Sequence, residues 1–349
     1  SFSITVQNDA PSNHFNTVIY ADTTTSVSHS VGFAPDLVWF KERNGANNHQ
    51  LYDTIRGNDF ALFSNTTDAQ NNYATHPNGD LAPSITSTGF TTPSVVNNGI
   101  NRNGGTYVAW SFKAGGAAVA NTDGTINSQV SVNNTLGFSI VSYSGNSTSG
   151  ATVGHGLDAS PDFVIIKSSN ASANWIVYSS PTGNGKYLYL NSTSSAQSAN
   201  WFDTSATTFT LNNTYGDANT SGRNYIAYNF TSKPGFSKVG SYTGNGSASG
   251  PIVQTGFEPA MVIFKRTNGV TSWRILDNKR FSGSNKSALI PNGNYAEQVG
   301  YIDVSFYANG FSINSNNTDF NASGGNYIYL AIAADGSTAT PSLANSFAT

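Results

Sequence analysis

The chain has 349 residues, no cysteine, 10% charged residues and a formal net charge of −3. Disulfide frameworks, thiolate metal sites and Cys nucleophiles are therefore excluded, and 16 basic residues spread among 19 acidic ones offer no clustered basic face for nucleic acid. No apolar stretch approaches the roughly 20 residues of a membrane span, and no basic n-region with an apolar h-region opens the sequence, so neither membrane insertion nor a signal peptide is expected.

Taken in order, residues 1–14 form an N-terminal extension in which Phe2–Val6 alternates like a strand, the kind of end that pairs with a neighbouring subunit. Phe15–Tyr20 is the first predicted strand. Val31-Gly32-Phe33-Ala34-Pro35-Asp36 is a turn, and the apolar run Leu37–Phe40 that follows reads as a central strand covered on both faces. His49–Asp53, Phe60–Phe63 and Gly89–Thr91 are further short strands bounded by Gly, Asn and Ser. Asn103–Gly105 turns the chain into a closing strand, Tyr107–Trp110.

The same series then returns. Phe138–Tyr143, Gly156–Lys167, Trp175–Ser179, Lys186–Leu190, Thr208–Leu211 and Ser221–Tyr228 repeat it once. Phe236–Tyr242, Gly256–Lys265, Trp273–Asp277, Ser287–Ile290, Gly310–Ile313 and Ser323–Leu330 repeat it again. A period of roughly 100 residues is domain-sized, well above solenoid units. The reading is all-β, with three tandem β-sandwich modules at 15–113, 134–232 and 233–334 and a closed barrel as the alternative architecture. Residues 114–133 read as a linker whose stretch Gln129–Val132 is a candidate extra edge strand, and 335–349 as a C-terminal tail.

Several residues are candidates for chemistry. Asp53-x-x-Arg56 recurs as Asp277-x-x-Arg280, while the middle copy carries Ser179 and Thr182. The pair is a candidate ligand or partner contact, because Arg and carboxylate serve polar recognition; the alternative is a local ion pair that fixes the turn. Tyr73 and His76 lie in the long excursion Asn65–Ser87, where recognition residues tend to sit on a rigid scaffold. Trp201 is a candidate exposed aromatic, whereas Trp39 and Trp110 align with Ile and Leu of other copies and read as core. The five histidines are scattered, no calcium-loop run is present, and no Gly-x-Ser-x-Gly elbow appears. No cofactor and no enzyme activity are expected.

The whole pattern resembles an uncharacterised tandem-repeat β domain found in virion structural proteins of tailed bacteriophages. Val31–Lys41, Asp53–Gly57 and Asn103–Lys113 carry the resemblance most closely, and it spans residues 15–334. It implies lectin-type or jelly-roll-like sandwiches on an exposed appendage at the virion surface and assigns no catalytic residue. The expected role is a tail-fibre or receptor-binding component contacting a host-surface glycan. A capsid decoration or head-fibre protein is the alternative, and a filament-forming surface adhesin a further one. The partners implied are other virion proteins and the chain itself, as a homotrimer by analogy with phage fibres.

Overall fold

Six consecutive buried residues, Leu37–Glu42, make the strand around which the first large sheet is built. Phe163–Ser168 and Pro259–Arg266 do the same for a second and a third. The computed structural model describes residues 9–21, 25–75, 82–94, 99–199, 202–212, 217–281, 286–300 and 303–335. Among them nearly all regular structure is antiparallel strand, with one α-helical turn at Thr318–Asn321 and two 3-10 turns.

In each large sheet the lysine-bearing strand lies between a closing strand and a following strand, and an opening strand lies beyond the closing one. In the first sheet these are Phe15–Ala21, Thr106–Phe112, Leu37–Glu42 and Gln50–Asp53, continued by Phe60–Phe63 and Asn71–Asn72. The second runs Phe138–Ser144, Asn224–Phe230, Phe163–Ser168, Ile176–Ser179, Lys186–Tyr189. The third runs Ser237–Thr243, Asn326–Ala333, Pro259–Arg266, Arg274–Asp277. Pro259, which has no N–H to give, starts its strand at a register shift before Met261. Residues 114–133 do more than link. Val119–Asn121 and Ser128–Asn133 form a hairpin that pairs onto the opening strand Phe138–Ser144 and extends the second sheet.

Each large sheet faces a small three-stranded sheet. Val27–Ser30, Ser84–Thr86 and Gly89–Thr92 make one, Ala151–Gly154, Phe202–Thr204 and Thr208–Leu211 the next, and Ile252–Gln254, Val304–Tyr307 and Gly310–Ile313 the last. Alternation along the central strands explains why they are apolar on both sides. Val38 and Phe40 pack with Phe90 of the first small sheet, Val164 and Ile166 with Phe209 of the second, Val262 and Phe264 with Phe311 of the third. The intervening residues, Leu37 and Trp39, Phe163 and Ile165, Met261 and Ile263, point the other way into one apolar cluster fed by all three large sheets. Trp110, Trp175 and Trp273 are completely buried there. Burying a large side chain of this kind contributes about 1.5–3 kcal/mol, so the shared cluster is a major part of the fold.

Equivalent tyrosines and asparagines shape the loops. Tyr20, Tyr143 and Tyr242 of the opening strands stack on Tyr107, Tyr225 and Tyr327 of the closing strands at 4.8–5.2 Å. Their hydroxyls donate to the carbonyls of Ile100, Ala218 and Phe320, as a buried phenol must. Next to those carbonyls Asn101, Asn219 and Asn321 are buried; Asn219 and Asn321 accept from the backbone of Asn146 and Asn245 and so hold the polar loops after the opening strands. Asn44, Asn170 and Asn268 bridge the turn after the lysine to the Gly turn before the closing strand, accepting from Thr106, Asn224 and Asn326.

Candidate functional site

Asp53 ends its strand and Asp277 ends the equivalent one. Each carboxylate accepts from the backbone N–H three residues on, at Arg56 (2.9 Å) and Arg280 (3.0 Å). Each is also paired with that arginine's Nε, at 2.6 and 2.5 Å. The guanidinium then donates back to a strand carbonyl, Leu51 or Ile275, at 3.0 Å. Both pairs are buried: Asp53 is 1% exposed and Asp277 0%. Burial alone would lower the two arginines, but the facing carboxylates raise them above the usual guanidinium value.

A further hydrogen bond to each carboxylate crosses between sheets. Tyr228 of the second sheet donates to Asp53 at 2.7 Å, and Trp110 of the first donates to Asp277 at 2.9 Å. Tyr228 is pushed well above the usual phenol range, first by burial and then by the Asp53 charge. Leu330 holds the corresponding position in the third closing strand, as the strand registers show. It has no proton to donate, and the position it would serve carries Ser179, whose buried hydroxyl has no partner. The missing Asp-x-x-Arg of the middle copy thus goes with a missing donor.

Two more sets of contacts close the sheets on one another. Trp175 of the second sheet donates from Nε1 to the carbonyl of Phe63 in the first at 2.8 Å. Trp273 of the third donates to Tyr189 of the second at 2.9 Å. His49 of the first occupies the equivalent place and lies against the backbone of Ile290 in the third. Lys167 and Lys265 reach the neighbouring segments at Thr67 and Thr193, while Lys41 bonds Glu42 and Gly45. Desolvation lowers Lys41 and Lys167 to about 8 and Lys265 to about 7. A lowered amine is the signature of a Lys nucleophile, yet each of these spends its N–H groups on backbone carbonyls.

The excursion Asn65–Ser87 contributes to the same seam. Thr67 accepts from Ala173 and Gln70 donates to Ser169, both in the loop between two strands of the second sheet. Tyr73 is half-buried, with its ring 6.5 Å from Tyr52. His76 and Trp201 lie outside the described residues, as do Phe2–Val6 and residues 336–349 of the tail. Of the candidate residues, the structure thus joins Asp53 with Arg56 and Asp277 with Arg280. Arg56 also lines a cleft of about 290 Å³ with Gln129, Ser142, Ser144, Ser169 and Asn224. The cleft is walled by hydroxyls and amides, groups that suit a neutral polyhydroxylated ligand. Among the described residues no three His, Asp or Glu side chains converge as a metal site would require.

A family model described as a domain of unknown function (DUF7483) matches residues 10–335. The chain belongs to this family. The match spans all three large sheets and stops beside Asp335, whose carboxylate accepts from the Ser12 N–H at 2.7 Å. The DUF7483 region therefore corresponds to the closed set of sheets, from the turn before the first strand to the end of the last. No curated protein and no solved structure matches the chain.

Proposed function

We propose that this DUF7483 chain is a non-enzymatic structural protein of a tailed-phage virion, exposed on a tail fibre or receptor-binding appendage. Each large sheet with its small sheet is one β-sandwich module, and the three modules present polar loops and clefts for multivalent contact with host-surface carbohydrate. The observation that carries this reading is where the reactive side chains go. Both Asp–Arg pairs and two of the three buried lysines are consumed in tying sheets together, and Lys41 in holding its own turn. What remains outside is a sparsely charged exterior of Ser, Thr and Asn on a rigid scaffold. Repeated weak contacts on such a scaffold gain avidity of about 10²–10⁴ over one site. Binding of the purified protein to an array of bacterial polysaccharides tests this. Binding lost in Asn224→Ala and Gln129→Ala supports it, whereas retention of all binding in both variants removes the cleft from the account.

A capsid decoration or head-fibre role is the second reading. The bond between Ser12 and Asp335 favours it, because both flanking segments start side by side, as attachment at one point requires. A filament-forming adhesin draws support from the outer edge of Phe15–Ala21. It has no partner strand among the described residues, and an open edge accepts a strand from another copy.

A further inference from the structure

The three seams between large sheets share one equivalent position, and its residue differs at one of them. At two of them an indole N–H is hydrogen-bonded to a carbonyl of the next sheet. At the seam between the first and third sheets the residue is His49, fully buried, with its ring against the backbone of Ile290 across the seam. Its Nδ1 faces Trp39 Nε1 at 3.0 Å. An indole N–H can only donate, so Nδ1 must be the acceptor and the neutral ring carries its proton on Nε2.

We propose that this seam is a latch opened by acid, with His49 as its trigger, while the seams built on Trp175 and Trp273 stay closed. Protonation would place a second N–H on Nδ1, donor against donor with Trp39. It would also put a cation between Lys41 of its own sheet and Arg280 of the third, the two charges that act against it. Glu42, Asp277 and Glu297 are the nearby acids. Asp277 is committed to Arg280 and Trp110, Glu42 to Arg102, and Glu297 to Arg43, Arg280 and Ser287. None of them accepts a hydrogen bond from the His49 ring. The protonated ring is accommodated only once the seam parts and water reaches it.

The sign follows from linkage. Burial first, and then Lys41 and Arg280, outweigh the Ile290 backbone, which favours the proton, and hold the closed-state imidazole well below its usual 6.5. The open state takes up the proton below about 6.5, so the His49 contribution makes opening about tenfold more favourable for each pH unit lower and is itself flat above. Glu297 is held below its usual value and stays ionised in this window.

Hydrogen exchange of the intact chain between pH 7.5 and 5, read as protection factors, tests the latch. Protection should fall at residues 44–52 and 287–299 and hold at 60–72 with 169–177 and at 189–197 with 267–275. His49→Trp should abolish the slope, and His49→Phe provides the same test without an indole donor. Equal loss at all three seams, no loss at any, or a slope that survives in His49→Phe would overturn the proposal. The wild-type profile alone decides the first two outcomes.

Discussion

Tyr228 and Asp53 lie 175 residues apart in sequence, and the phenol of one donates to the carboxylate of the other at 2.7 Å. The bond joins two sheets inside the apolar cluster that all three share, where Tyr228 is 1% exposed. A buried carboxylate held by one guanidinium, one backbone N–H and one phenol is nearly saturated, and losing any donor leaves desolvated charge behind.

Tyr228→Phe should therefore lower stability by about 1–3 kcal/mol with little change in packing. Denaturant unfolding measures it. Asp53→Ala should cost more, about 3–5 kcal/mol, because Arg56 is left as an uncompensated buried cation. A double-mutant cycle with Arg56→Met should recover most of that loss.

The middle copy supplies a construction test. Ser179→Asp alone should destabilise the protein, since it buries a carboxylate with neither arginine nor donor. Adding Thr182→Arg and Leu330→Tyr should recover much of the loss by supplying the arrangement already present at Asp53 and its partners. Stability no better in the triple variant than in Ser179→Asp would show that the two positions do not meet.

Alkaline pH should first strengthen and then weaken the fold. Lys41, Lys167 and Lys265 are lowered to about 8, 8 and 7, against roughly 10.4 in an unfolded chain. Between these values the unfolded chain binds more protons, so stability rises with pH. Tyr143, Tyr228 and Tyr242 are raised well above 10 by burial. Above pH 10 the unfolded chain loses phenolic protons that the folded one keeps, and stability falls. Urea midpoints from pH 7 to 11 should pass through a maximum near pH 10.

Much of this was legible from residue order. Strands such as Leu37–Phe40 announce themselves because both faces are buried, and the alignment of Trp39 with Ile165 and Ile263 marks it as core. The strands Val27–Ser30, Ala151–Gly154 and Ile252–Gln254 leave no such trace, because short half-polar strands look like the loops around them. Asp53 and Arg56 read from sequence as a ligand contact or as a local ion pair fixing the turn, and only the register that brings Tyr228 across reveals that the pair is buried and ties two sheets. One signal was present: the copy lacking Asp-x-x-Arg is accompanied by Leu330 where the others have Trp110 and Tyr228. Pairwise contacts between distant copies are not carried by the periodicity that predicts strands, so the shared cluster could not be read from it.

The central claim, an exposed appendage protein of a phage particle, is tested most directly by labelling. Antibodies raised against the purified chain should decorate intact particles of the phage that encodes it, with density at discrete appendages in electron micrographs. Particles that stay unlabelled, and whose dissociated proteins also lack this chain, would contradict the account.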